Sequence, residues 1–96
     1  METNLSTNII AAAPTTTVVR TGPAVLAGIV INKATANGVI AIYDGIDANG
    51  TLKATITMPA TLLANQISLD YHDMSMDKGI TVVTSTAAQD ITVLYK

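Results

Sequence analysis

Cysteine, phenylalanine and tryptophan are absent from this 96-residue chain, and histidine and glutamate occur once each, as His72 and Glu2. The missing cysteines exclude disulfide staples and thiolate metal sites. The missing large aromatics leave Tyr43, Tyr71 and Tyr95 as the only rings, so a core must be assembled from Val, Ile, Leu, Ala and Met. Each fully buried aliphatic side chain contributes about 1.5–3 kcal/mol. A chain this short buries only about 60–65% of its unfolded surface, so the core is modest. The length fits one domain. Small scaffolds without disulfides or metals often gain further stability by oligomerising.

Charge is scarce as well, at 12% of residues with a net charge of −2. The basic residues Arg20, Lys33, Lys53, Lys78 and Lys96 are never neighbours. They offer no basic face, and no nucleic-acid partner is expected. The most apolar stretch, Val25 to Tyr43, is interrupted by Asn32-Lys33 and Asn37-Gly38. It falls short of the roughly 20 apolar residues of a membrane span, so no membrane partner is expected. No basic segment precedes an apolar run at the N-terminus, so no signal peptide is expected. What the chain does have is apolar residues, 49% of the total. Those that a small core cannot hold end on the surface, where such patches usually face partners.

Residues 1–14 stand apart. They are polar at Thr3, Asn4, Ser6, Thr7 and Asn8, small and apolar from Ile9 to Ala13, and closed by Pro14. Two readings are open: a frayed terminus, or an extended arm lying on a neighbouring subunit, with Ile9 and Ile10 as partner-binding residues. Residues 15–96 read as strands divided by turns. Thr15–Arg20 is rich in β-branched residues, which suit a pleated surface. Ala24–Ile31 is continuously apolar, as in a strand covered on both faces. Asn37-Gly38 is the standard type I′ hairpin pair, and Val39–Tyr43 is the next strand. Thr51–Met58 alternates, with Leu52, Ala54, Ile56 and Met58 on one face, until Pro59 ends the ladder. Ala60–Asn65 reads as one helical turn or a loop. In Gln66–Tyr71 the apolar Ile67, Leu69 and Tyr71 fall inward. His72–Lys78 reads as a polar loop, Ile80–Thr84 as a strand, Ser85–Gln89 as a turn, and Asp90–Tyr95 as the last strand. About seven short strands at this spacing predict a mainly β fold, an antiparallel β-sandwich of jelly-roll or Ig-like type.

The candidates for chemistry are few. Asp44-Gly45-Ile46-Asp47-Ala48-Asn49-Gly50 gathers oxygen ligands suited to calcium. Its spacing is not that of an EF-hand, and Asp, Asn and Gly also populate ordinary turns. Asp70 and His72 would share a face if their strand continued, as a metal pair could. A complete site needs further ligands, and there is no second histidine. A Ser-His-Asp hydrolase would depend on His72 alone. There is no Gly-x-Ser-x-Gly elbow and no glycine-rich phosphate loop. The expectation is therefore a non-enzymatic chain without metal or cofactor. Met74 and Met76, apolar in a polar loop, are candidate partner-binding residues beside Ile9 and Ile10.

Several segments together carry a resemblance. They are Thr21-Gly22-Pro23, Leu26–Asn32, the strand Val39–Tyr43 ending in Tyr43-Asp44-Gly45, Gly50 with Leu52–Ile56, Lys78-Gly79-Ile80-Thr81-Val82, and Asp90-Ile91-Thr92-Val93-Leu94-Tyr95. From Thr21 to Tyr95 the chain resembles the small β-sandwich structural proteins of tailed bacteriophage virions. The resemblance covers about four-fifths of the chain, rests on strand and turn punctuation, and leaves out residues 1–14. It implies a capsid decoration (cement) protein on the outer surface of the virion capsid. The implied partners are further copies of itself, as a homotrimer, and the major capsid protein. Alternative readings are a neck, tail or head-fibre module, or a small carbohydrate- or calcium-binding domain.

Overall fold

A computed structural model describes residues 5–11, 15–33, 35–61, 66–85 and 89–96. Eight strands run in the order β1 (Leu5–Ala11), β2 (Thr15–Thr21), β3 (Ala24–Lys33), β4 (Val39–Asp44), β5 (Thr51–Thr57), β6 (Ile67–Met76), β7 (Gly79–Ser85) and β8 (Gln89–Tyr95). They form two antiparallel four-stranded sheets, ordered β1-β8-β3-β6 and β2-β7-β4-β5. The apolar set of each strand alternates toward one shared core, as a period of two requires. Leu26, Ile29, Ile31, Ile91 and Val93 of the first sheet meet Ile40, Ile42, Ile80 and Val82 of the second, all essentially inaccessible to solvent. The arrangement is consistent with the expected β-sandwich.

The strand count is one higher than the sequence pattern indicates. The extra strand is β1, within the segment set apart as an arm. It pairs one-to-one with β8 from Leu5↔Tyr95 to Ala11↔Gln89; residues 1–4 and 12–14 lie outside the described residues. β6 also runs five residues past Tyr71, through the stretch expected as a loop. Residues 62–65 and 86–88, in the expected helical turn and the last expected turn, lie outside the described residues.

Three expectations change at bulges, where an extra residue shifts the phase of alternation. In β3 the register slips between Leu26 and Gly28, so Gly28 and Ile29 are both buried in succession. Outside this slip β3 alternates, and Val25, Ala27 and Val30 are half-buried rather than covered on both faces. In β5 the pairs Ile42↔Ala54 and Tyr43↔Leu52 leave Lys53 as the extra residue. Leu52 is thereby turned out of the core, 53% exposed. In β6 three residues, Tyr71 to Asp73, stand opposite Ala27, with His72 and Asp73 at φ 53° and 55°.

The expected type I′ hairpin at Asn37-Gly38 is a different turn. Gly38 N–H donates to Thr35 O at 3.0 Å, so Ala36 and Asn37 are the central residues. Only Asn37 of the two has positive φ, 63°, which is the requirement at the third position of a type II turn. The turn carries the chain from one sheet to the other rather than joining neighbouring strands.

Candidate functional site

The most constrained polar group is Asp44, the last residue of β4, 6% exposed. Its Oδ1 accepts the Lys78 N–H at 2.7 Å and the Gly79 N–H at 3.4 Å, and its Oδ2 accepts the Asp77 N–H at 2.9 Å. The carboxylate thus closes the turn between β6 and β7. The amide of Lys78, with those of Asp77 and Gly79 and the charge of Lys53, holds its pKa below the ordinary value against the opposing effect of burial. Gly79 has to be glycine here. A Cβ would lie 2.5 Å from Arg20 O and 2.9 Å from Gly45 O, at φ +155°. Next to it, the Thr81 hydroxyl, fully buried, donates to Gly45 O at 2.8 Å.

These bonds engage the carboxylates of the loop that begins at Asp44. Both Asp44 oxygens already bind backbone amides, and Asp47 Oδ1 accepts the N–H of Asn49 at 2.8 Å. Asp70 and His72 do come together, with Oδ2 and Nδ1 3.7 Å apart. Their approach comes from a turn in which Asp70 Oδ1 accepts the His72 N–H at 2.7 Å, not from strand alternation. Both side chains are highly exposed, and Asp73 pairs with Lys96 Nζ at 3.1 Å. An open depression lies beside this bulge, between Gly28, Ser68, Asp70, Asp73 and Leu94. Among the described residues no group of three or more His, Asp or Glu side chains is placed to hold a metal.

The four partner-binding candidates fall in different places. Ile9 and Met76 belong to the chain's own core, at 6% and 1% exposure. That corrects their assignment to a partner surface: β1 turns Ile9 inward beside Ile91, and β6 turns Met76 inward beside Ala24. Met74 is half-buried against the same core. Ile10 pairs with Asp90 through the backbone, and its side chain lies outside the described residues.

The outer face of the β2-β7-β4-β5 sheet carries exposed apolar side chains. One transverse row reads Val18, Thr81, Tyr43, Leu52 by register. The next reads Thr16, Val83, Ala41, Thr55, and the next Ser85, Val39, Thr57. None of these residues is charged. Val18 and Leu52 are 46% and 53% exposed, and Ile46, in the loop tied to Thr81, is 58% exposed. The outer face of the other sheet carries a polar network beside Leu94 and Val30. Asn8 Nδ2 donates to Asp90 Oδ1 at 2.9 Å and to Ile91 O at 2.8 Å. Asn32 Nδ2 donates to Thr92 Oγ1 at 2.9 Å and to Asp90 Oδ1 at 3.1 Å. Sequence alternation could not locate the apolar face, because it assigns Leu52 to the core.

Comparison with known protein families, with curated proteins and with solved structures finds no match to this chain.

Proposed function

We propose that the chain is a capsid decoration (cement) protein of a tailed phage, a non-enzymatic module that binds the outer surface of the capsid shell. The observation that carries this reading is that the register rows across the outer face of the β2-β7-β4-β5 sheet hold no charged residue, with Val18, Tyr43 and Leu52 in one row and Ile46 beside them, and with Arg20 and Lys53 confined to the two edge strands. Burying such a face strips water from apolar atoms and hydroxyls without desolvating a charge, which would cost far more. The polar face of the other sheet suits the solvent side. We also read the strand order as a jelly roll. β1 pairs β8, β2 pairs β7, β3 pairs β6 and β4 pairs β5, the nested pairing of one long hairpin wrapped into two sheets. The resemblance of Thr21–Tyr95 to phage virion proteins supplies the shell as the partner.

The mechanism in this reading is mechanical. Each copy adds contact area between shell subunits and so resists outward pressure. Two rows on four strands and one on three, at about 4.8 Å between strands and about 3.3 Å per residue, give a footprint of roughly 300 Å². A standard interface takes about 800 Å² from each partner. The Ile46 loop and the sheet edges must therefore join the contact. The test is cosedimentation of the purified chain with phage shells lacking it. Wild type is expected to pellet with the shells, and Val18→Asp/Leu52→Asp to stay in solution while keeping its fold by circular dichroism. Equal binding of the two, or none by wild type, would remove the reading.

A further inference from the structure

We infer that β1 is a self-pairing edge, through which a second copy of this chain adds to the β1-β8-β3-β6 sheet. A free sheet edge presents unpaired N–H and C=O groups and templates another strand unless it is bulged or charged. Three of the four edge strands are guarded. β2 carries Arg20 and a register slip between Val18 and Arg20. β5 carries the bulged residue Lys53. β6 carries Asp70 and Asp73 and the double positive-φ bulge at His72-Asp73.

β1 has none of these devices. Its seven residues contain no charge, proline or glycine, and its register with β8 is unbroken. The strand is also held in place on both faces. Asn8 Nδ2 bonds to Ile91 O and Asp90 Oδ1 on the outer side, and the Thr7 hydroxyl lies 3.3 Å from the Tyr95 hydroxyl on the inner side. The edge is therefore preorganised, and pairing to it costs little ordering entropy.

The occupant follows from the same comparison. An incoming strand must itself be straight and uncharged along its free edge. Among the described residues of the four edge strands only those of β1 qualify, so the matching edge is β1 of another copy. Two such strands meet antiparallel about a two-fold axis, an isologous contact. The result is one eight-stranded sheet ordered β6-β3-β8-β1-β1-β8-β3-β6, with no like charges opposed at the seam. Two-fold closure differs from the threefold closure expected from the sequence, and it does not depend on the shell-binding reading.

The experiment is light scattering on the eluting full chain, with amide hydrogen exchange across a concentration series. Wild type is expected at twice the mass of one chain, with exchange of the Leu5–Ala11 amides slowing as concentration rises. Ser6→Lys puts a cation on the edge strand at an exposed position. It is expected at the mass of one chain, with a folded circular dichroism spectrum and a melting temperature that does not rise with protein concentration as that of wild type does. A single-copy wild type overturns the inference. So does a two-copy or three-copy species whose β1 amides exchange independently of concentration, whatever the shell-binding result.

Discussion

Asp44 shows what one residue can hold together. It has two carboxylate oxygens and three amide donors, 33 to 35 residues away in sequence. Hydrogen bonds to a buried charge are worth about 1.5–3 kcal/mol, and an orphaned donor costs more than an absent bond. Asp44→Asn keeps the shape but turns an amide group toward N–H donors. It is expected to cost about 2–3 kcal/mol at neutral pH in urea unfolding. The folded pKa lies below the unfolded value. The stabilisation is therefore complete above the unfolded value, about pH 4, and is lost as pH falls through the folded one. The gap between wild type and Asp44→Asn should close in that acid range. A gap of the same size at pH 7 and pH 2 would refute the clamp. Gly79→Ala tests the same turn through the backbone. Its Cβ would meet two carbonyl oxygens, and a loss of about 1–3 kcal/mol is expected from the strain, read as a lowered urea midpoint at unchanged slope. The sequence marks Asp44 only as a turn residue or a calcium candidate, because its partners are remote in the chain and leave no local signal.

At the scale of the strand, β-branched and apolar runs, alternation and turn residues together locate β2, β3, β4, β5, β7 and β8 and the first half of β6. Most of what they misplace lies at bulges. Ile67, Leu69 and Tyr71 share one phase and Met74 and Met76 another, so the reset at His72-Asp73 makes one strand look like a strand and a loop. The same slip at Lys53 hides Leu52, the residue most useful for finding the apolar face. β1 was missed for another reason. Its inward positions include Thr7, which breaks the apolar series, and its stability comes from pairing with β8 rather than from its own pattern. Bulges also guard edges, and that can be tested on β5. Deleting Lys53 leaves Tyr43↔Leu52 and Ile42↔Ala54 as successive pairs and straightens the edge. The deletion variant is expected to form species larger than wild type in light scattering. An unchanged mass distribution would show that the bulge does not guard this edge.

At the scale of the molecule the two outer faces differ in chemistry. One carries Asn, Asp and Thr in a bonded network. The other carries valine, leucine, tyrosine and threonine in its register rows, with charge only on its edge strands at Arg20 and Lys53. The sequence showed that apolar residues exceed what a small core can hold. It could not show that the excess gathers on one sheet, since that depends on which strands pair. This sidedness is the centre of the functional account, and it makes a directional claim. A cryo-EM reconstruction of phage shells decorated with the purified chain tests that claim most directly. The account predicts added density on the outer surface, with the β2-β7-β4-β5 sheet against the shell and the Asn8–Asp90–Asn32 face toward solvent. Density oriented the opposite way, or shells with no added density at saturating protein, would contradict it.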